Sequence, residues 1–342
     1  MRLPFNTTLL ALLIPAYAAT ASDPQTAALE AIHARGGELR FEANGAIGIS
    51  FCLAGKKGLT DDGLKGLVPI SDLTTLNLGS NKVNGSGLKH LAGLKKLTTL
   101  DLSGTEVTDD GLKELASLKS LSVLGLNYTG ITDAGMKHVA KAEGLTSLEL
   151  VSSKVSDAGL KDLSPLKNLA VLNLMKTSVT DAGLKELGPL TGITHLALAH
   201  THVTDDGLRH LGLLKNLRHV HLGGTKVTDG GMKVVSALTE LNGLSLNGTT
   251  VTDIGLRELA GLKHLTYLDL TATKVTDSGL KDLAGLDGLA FLYLSSTKVT
   301  DAGLKELAGL KSLAILDLRD TSVTESGVRQ LLEQQPAVTV FR

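Results

Sequence analysis

Eleven aliphatic residues recur along this chain every 24 residues without an insertion: Leu76, Leu100, Leu124, Leu148, Leu172, Leu196, Val220, Leu244, Leu268, Leu292 and Leu316. A fixed period of this length means that each segment is one small unit that cannot bury its apolar side alone and must stack on copies of itself. The period therefore overrides the two-domain expectation that a length of 342 residues would raise. Aromatic residues make up 3% of the chain and Trp is absent, so the core must come from many small aliphatic contacts, which stacked coils supply.

Within one coil the hydrophobic period changes. Leu97-Thr98-Thr99-Leu100-Asp101-Leu102 alternates apolar and polar residues as a short strand does, whereas Leu112, Leu115 and Leu118 fall on one face of a short helix. Each coil thus reads as strand, turn, helix and return.

Other residue types keep the same register, and each invites a physical role. Asp61, Asp109, Asp133, Asp157, Asp181, Asp205, Asp229, Asp253, Asp277 and Asp301 precede the helical segment, where a carboxylate is expected to accept from free first-turn amides. One Asp per coil does not supply the several oxygens that a calcium loop needs. Glycine recurs from Gly63 to Gly327 at a site expected to need close coil-to-coil approach or a positive φ. Thr105, Thr129, Thr177, Thr201, Thr225, Thr249, Thr273, Thr297 and Thr321, with Asn81 and Ser153 as variants, are expected to form a hydroxyl ladder that satisfies turn amides. Pro69, Pro165 and Pro189 share a position with Gly93, Gly261, Gly285 and Gly309, which marks the end of the helix.

The pattern Leu-x-x-Leu-x-Leu-x-x-(Asn/Cys/Thr), followed by Val-Thr-Asp-x-Gly-Leu and a helix, resembles the leucine-rich-repeat family over roughly residues 50–342. The Val-Thr-Asp-x-Gly-Leu segment is similar to the family's cysteine-containing subtype, shortened and with Thr where Cys often stands. The resemblance implies an α/β fold: a right-handed solenoid shaped as a horseshoe, with parallel strands on its concave face and short helices on its convex face. That subtype is common in substrate receptors of ubiquitin ligases, which carry an F-box module. No room for such a module is expected before the first coil, and exported bacterial repeat proteins are the nearer resemblance.

Residues 1–21 read as a secretory signal: Arg2, an apolar stretch from Leu9 to Ile14, then the small-residue runs Ala16-Tyr17-Ala18 and Ala19-Thr20-Ala21. The stretch is too short to anchor the chain in a bilayer. The expectation is export to the periplasm, the cell surface or the medium, without membrane insertion after signal removal. Residues 22–58 read as an amino-terminal cap, with a helix starting at Ser22-Asp23-Pro24 and stopping at Gly36-Gly37, then strands at Leu39–Phe41 and Ile47–Leu53. Residues 59–326 are the 24-residue repeats. Residues 327–342 read as a carboxyl-terminal cap, in which Pro336 interrupts the last helix and Val338-Thr339-Val340 begins a strand.

A net charge of −1, from 34 basic and 35 acidic residues, leaves no broad basic field for phosphates, so nucleic acid is not an expected partner. The sole cysteine, Cys52, excludes an intramolecular disulfide and a cysteine-based zinc cluster, and is expected to pack as a small apolar residue where later coils carry a strand leucine.

Side chains flanking the central strand leucine cannot enter the core, so they face the concave surface. Two clusters stand out there. His195, His219 and His221, with His200 nearby, place imidazoles on adjacent strands about 4.8 Å apart. They are candidate metal ligands, although no carboxylate completes a set, and otherwise form a partner-contact patch. Tyr267, Phe291 and Tyr293, with Asp269 and Asp317, are exposed aromatics flanked by carboxylates, which suits a protein or peptide hot spot, with carbohydrate as the alternative ligand. Tyr267 and Phe291 are expected to stack.

No phosphate-cradling glycine loop, nucleophile elbow or paired metal motif is present, and no cofactor is called for. The resulting expectation is a non-catalytic scaffold that holds a protein or peptide on its concave face. A surface structural or adhesive element is the first alternative; a ubiquitin-ligase-like receptor and a metal-dependent enzyme are the disfavoured ones.

Overall fold

The computed structural model describes residues 24–41, 45–51 and 59–342, and its contacts divide the chain into two compact units, Met1–Gly130 and Ile131–Arg342. The signal segment, Ser22, Asp23 and Cys52 lie outside the described residues.

In the first unit a helix at Pro24–Ala34 buries Leu29 and Ile32 and ends at Gly36, whose φ of 87° is open to glycine without a Cβ penalty. Strand β1 (Glu38–Phe41) pairs antiparallel with β2 (Ile47–Ser50), and β2, β3 (Leu73–Asn77), β4 (Thr99–Asp101) and β5 (Val123–Gly125) continue in parallel. The 24-residue register holds from Leu76 to Leu100 to Leu124. One step earlier β2 sets Ile49 opposite Leu76, after a register shift between Ile47 and Gly48. The cap carries a bulge that the repeat spacing cannot foretell.

The second unit stacks β6 (Ser147–Glu149), β7 (Val171–Asn173), β8 (His195–Ala197), β9 (His219–His221), β10 (Gly243–Ser245), β11 (Tyr267–Asp269), β12 (Phe291–Tyr293), β13 (Ile315–Asp317) and β14 (Thr339–Phe341), each parallel to the next. Short α-helices return the chain between them. The strand and helix leucines meet between the two layers and are fully buried. Helices of the first unit, at Asp61–Leu67, Leu88–Gly93 and Asp110–Ser117, are instead wound as 3-10 turns. Most helices of the second unit begin at a Thr whose hydroxyl accepts from the amide two residues on, as Thr180 does from Ala182. The N-cap residues of the first unit's three make no such bond, although Thr108 accepts from the Gly111 amide at 3.2 Å.

The recurring Asp does not cap its own helix. Asp157 accepts from the backbone N–H of Thr180 at 2.8 Å and from its hydroxyl at 2.7 Å, one coil further on. Asp181, Asp205, Asp229, Asp253, Asp277 and Asp301 repeat this on the next coil's Thr, and Asp133 repeats it on Ser156. The carboxylate is therefore a tie between coils, and the capping hydroxyl it holds belongs to the following helix. The recurring glycine follows from that tie. At Gly159 a Cβ would lie 2.6 Å from the Asp133 carboxylate, and the same clash recurs from Gly183 to Gly327. Close approach is the reason, since none of these glycines has a positive φ.

The second threonine series also differs from expectation. Each hydroxyl donates to the carbonyl three residues back within its own coil, as Thr177 does to Leu174 at 2.6 Å, so there is no ladder between coils. Ser153, the variant, leaves its buried hydroxyl without a partner.

At the far end the last helix is Glu325–Gln334, and Gln335 turns its amide nitrogen onto the carbonyls of Leu307, Ala308 and Leu310. Val338 precedes β14, which pairs with β13. Among the described residues no helix is long and apolar enough to cross a membrane.

Candidate functional site

Strands of three residues with a buried centre leave two side chains each on the open face of the sheet. On β8 and β9 these are His195, His219 and His221. His195 and His219 are register partners, and their rings stack with centroids 4.4 Å apart at 15°. His195 is steered by Thr194, whose hydroxyl lies 2.8 Å from Nδ1. Burial, then the neighbouring imidazoles and Arg218, hold His219 below the ordinary histidine range. His221 is also lowered by burial, against an opposing pull from Asp269. His200 takes no part: it sits in the bend with φ 56°, its ring over Gly224.

The imidazoles stack face to face and do not converge. Among the described residues no three His, Cys, Asp or Glu side chains come together in a metal-holding arrangement.

Strand β10 places Gly243 and Ser245 beside them. Both are buried, because they are small and their neighbours lean over them. A Cβ on Gly243 would run into the His219 ring, so this glycine makes the space that the imidazole occupies. Ser245 donates to Asn247 at 2.8 Å and to Asp269 at 3.2 Å, which ties the floor to the next strand.

On β11 and β12 the ring contact is diagonal. Tyr267 tilts against Tyr293, with centroids 5.4 Å apart at 45°, and the expected stack with its register partner Phe291 does not form. Diagonal neighbours on adjacent strands are within aromatic reach, and the choice leaves Phe291 38% exposed. Burial first, then the Asp269 carboxylate, pushes the Tyr267 hydroxyl up to about 12, so it stays a neutral donor. One Asp269 oxygen accepts from the Thr271 amide at 3.0 Å, which closes the turn.

Asp317 stands apart from the other face residues. It is 2% exposed, with Arg319 Nε and Nη2 donating at 2.9 and 2.6 Å. That bidentate pair holds its carboxyl down at about 2. What projects from this corner is the Arg319 guanidinium.

The structure thus joins two clusters that the sequence separates. From His195 through the Gly243–Ser245 floor to Phe291 and Tyr293, one patch runs across β8 to β12, about 19 Å at the usual strand spacing. Sequence reasoning missed Gly243, Ser245 and Arg319. The available signal was two small residues in face positions between bulky ones, and an arginine two places after an aspartate.

A profile described as leucine-rich repeat region matches residues 64–303. No curated protein sequence matches the chain. Among solved structures, an internalin from Listeria monocytogenes is 23% identical with a TM-score of 0.60, the match covering 81% of this chain and 82% of that one. A leucine-rich-repeat protein of Leptospira interrogans is also 23% identical, with a TM-score of 0.58 over 81% of this chain and 74% of its own. At that identity the likeness is one of fold.

Proposed function

The chain belongs to the leucine-rich-repeat family, and from that premise we propose that it is a non-catalytic scaffold holding a protein or peptide partner against the patch from β8 to β12. Repeat solenoids of this kind present extended surfaces to macromolecular partners. The observation that carries the assignment is the continuity of the patch: stacked imidazoles and tilted tyrosines face each other across a small-residue floor, with Phe291 projecting. Tyrosine and histidine bring rigid contact area and hydrogen-bonding tips at little entropic cost, which is what a hot spot needs. Asp269 supplies the negative edge, while Asp317 acts by orienting Arg319.

The stacked rings of His195 and His219 offer a flat contact surface, which supports binding. The segment from Arg2 to Ala21 supports export, so the partner is sought in the envelope or the medium.

The test is capture of envelope and medium proteins by the purified chain beside the triple variant Tyr267→Ala, Phe291→Ala, Tyr293→Ala, with and without chelator. A specific partner retained by the native chain, lost with the variant and indifferent to chelator supports the assignment. Capture that survives in the folded variant removes it from this patch; loss only with chelator returns it to the histidines as metal ligands.

A further inference from the structure

Strand β11 carries a charge that nothing in the chain neutralises. Across residues 242–248, 266–272 and 290–296, which contain β10, β11 and β12, Asp269 is the sole charged side chain. No Lys or Arg among the described residues forms an ion pair with it. Beyond β12, Asp317 and Arg319 neutralise each other. Beyond β10, burial holds His221 below the ordinary histidine range, so that imidazole is uncharged at neutral pH.

Asp269 is half-buried and only partly satisfied. One oxygen accepts from the Thr271 amide at 3.0 Å and the other from the Ser245 hydroxyl at 3.2 Å. Each oxygen keeps a second lone pair. On its own strand and the next, the side chains that share its face are aromatic. Tyr267 and Asp269 lie on one face of β11, Phe291 and Tyr293 on the same face of β12, and the register sets Tyr267 beside Phe291 and Asp269 beside Tyr293. The four form a square about 4.8 Å wide across the strands and about 6.6 Å along them, with three ring corners and one carboxylate corner. The two tyrosines touch along one diagonal, so a group that reaches Asp269 meets the tyrosine pair. On the other side β10 places only Gly243 and Ser245 opposite Tyr267 and Asp269, and neither is large enough to cover the carboxylate.

We propose that this square anchors an arginine side chain of the partner, with the guanidinium lying against the tyrosine pair and donating to Asp269. A planar cation gains twice there: its face meets the negative face of a ring, and its edge donates to a carboxylate. An ammonium is more strongly hydrated and has no flat face to stack, so lysine gains less. An acidic side chain is repelled by Asp269. The arginine anchor presupposes the docking on the strand face proposed above, and the two can fail separately.

The chain has four tyrosines, and the exposed Tyr128 lies off the site, which makes ring-labelled tyrosine a built-in reporter. The experiment titrates full-length protein, labelled with carbon-13 in the tyrosine rings, with N-acetyl-arginine amide and follows the ring signals by NMR. The lysine analogue, the uncharged isostere N-acetyl-citrulline amide and cellohexaose are the comparison probes. Tyr267 and Tyr293 are expected to shift with the arginine probe while Tyr128 stays still, with at least about tenfold weaker response to citrulline and in Asp269→Asn, which keeps an acceptor and loses the charge. Asp287→Asn, exposed on a return turn, is expected to leave binding unchanged. An equal response to citrulline, a stronger one to lysine or cellohexaose, or parallel movement of Tyr128 would overturn the proposal. So would capture of a partner that depends on Tyr267 and Tyr293 but is untouched by Asp269→Asn, a result that leaves the docking face standing. Arginine-specific shifts in a chain that captures no partner would uphold the cation site and remove the docking. Circular dichroism of both Asn variants separates loss of binding from loss of fold.

Discussion

Asp157 and Gly183 are paired across two coils: the carboxylate that ties to Thr180 fills the space where a Gly183 side chain would begin. The tie makes the glycine obligatory. Asp157→Ala is expected to destabilise the chain by about 1–2 kcal/mol, since the bonds are charge-assisted and one capping hydroxyl is released. Gly183→Ala is expected to cost a similar amount alone, and clearly less in the Asp157→Ala background. A double-mutant cycle by urea denaturation reads the coupling, and additive effects would mean that the glycine is needed for some other reason.

Asp317 makes stability depend on acid. Its folded pKa of about 2 lies below the ordinary value of 3.8, so it contributes stability that is complete above pH 3.8 and lost as pH falls towards about 2. With Arg319 largely exposed, Asp317→Asn is expected to lose about 1–2 kcal/mol at neutral pH, the difference closing below pH 3.8. A deficit that persists unchanged at low pH would assign the effect to packing.

His219 has the opposite sign of dependence on its charge. Its folded pKa lies below 6.5, chiefly through burial, so the unfolded chain binds the proton more readily and stability falls as pH drops through 6.5. His219→Gln is expected to flatten the change in urea midpoint between about pH 7.5 and about pH 5.5. An unaltered pH profile in the variant would show that the stacked pair titrates as it does in an unfolded chain.

The turn after the strand holds one residue in the left-handed region, with φ of 66°, 64° and 67° at Gly104, Gly224 and Gly248 and 56° at Ala272. Ala272→Gly relieves the left-handed penalty of about 1–2 kcal/mol and gives back part of it to unfolded-chain entropy. A net gain of about 0.5–1 kcal/mol is expected; a loss would show that the Ala272 methyl packs usefully.

The repeat was legible because its signal is redundant: ten aligned leucines and Val220 fix the strand register and the core together. What each polar position does was not, since Asp157, Thr180 and Gly183 are conspicuous in the sequence while the bonds linking them run between coils. Ile49 escaped for the reverse reason, as a bulge in the cap breaks the very spacing that makes the rest readable. At the site, alternation placed His195, His219, Tyr267 and Phe291 on one face correctly. It could not foresee that Tyr267 turns to Tyr293, or that Asp317 is drawn in by Arg319, because rotamers answer to neighbours on adjacent strands.

The most direct measurement is site-specific photocrosslinking in the producing cell, with a photoreactive residue at Phe291 on the strand face and, in a separate chain, at Ile254 on the helix face. The account predicts one discrete protein adduct from position 291, lost when Tyr267 and Tyr293 are replaced by Ala, and no such adduct from position 254. The same protein captured at both positions, or an adduct at 291 indifferent to the two tyrosines, would contradict it.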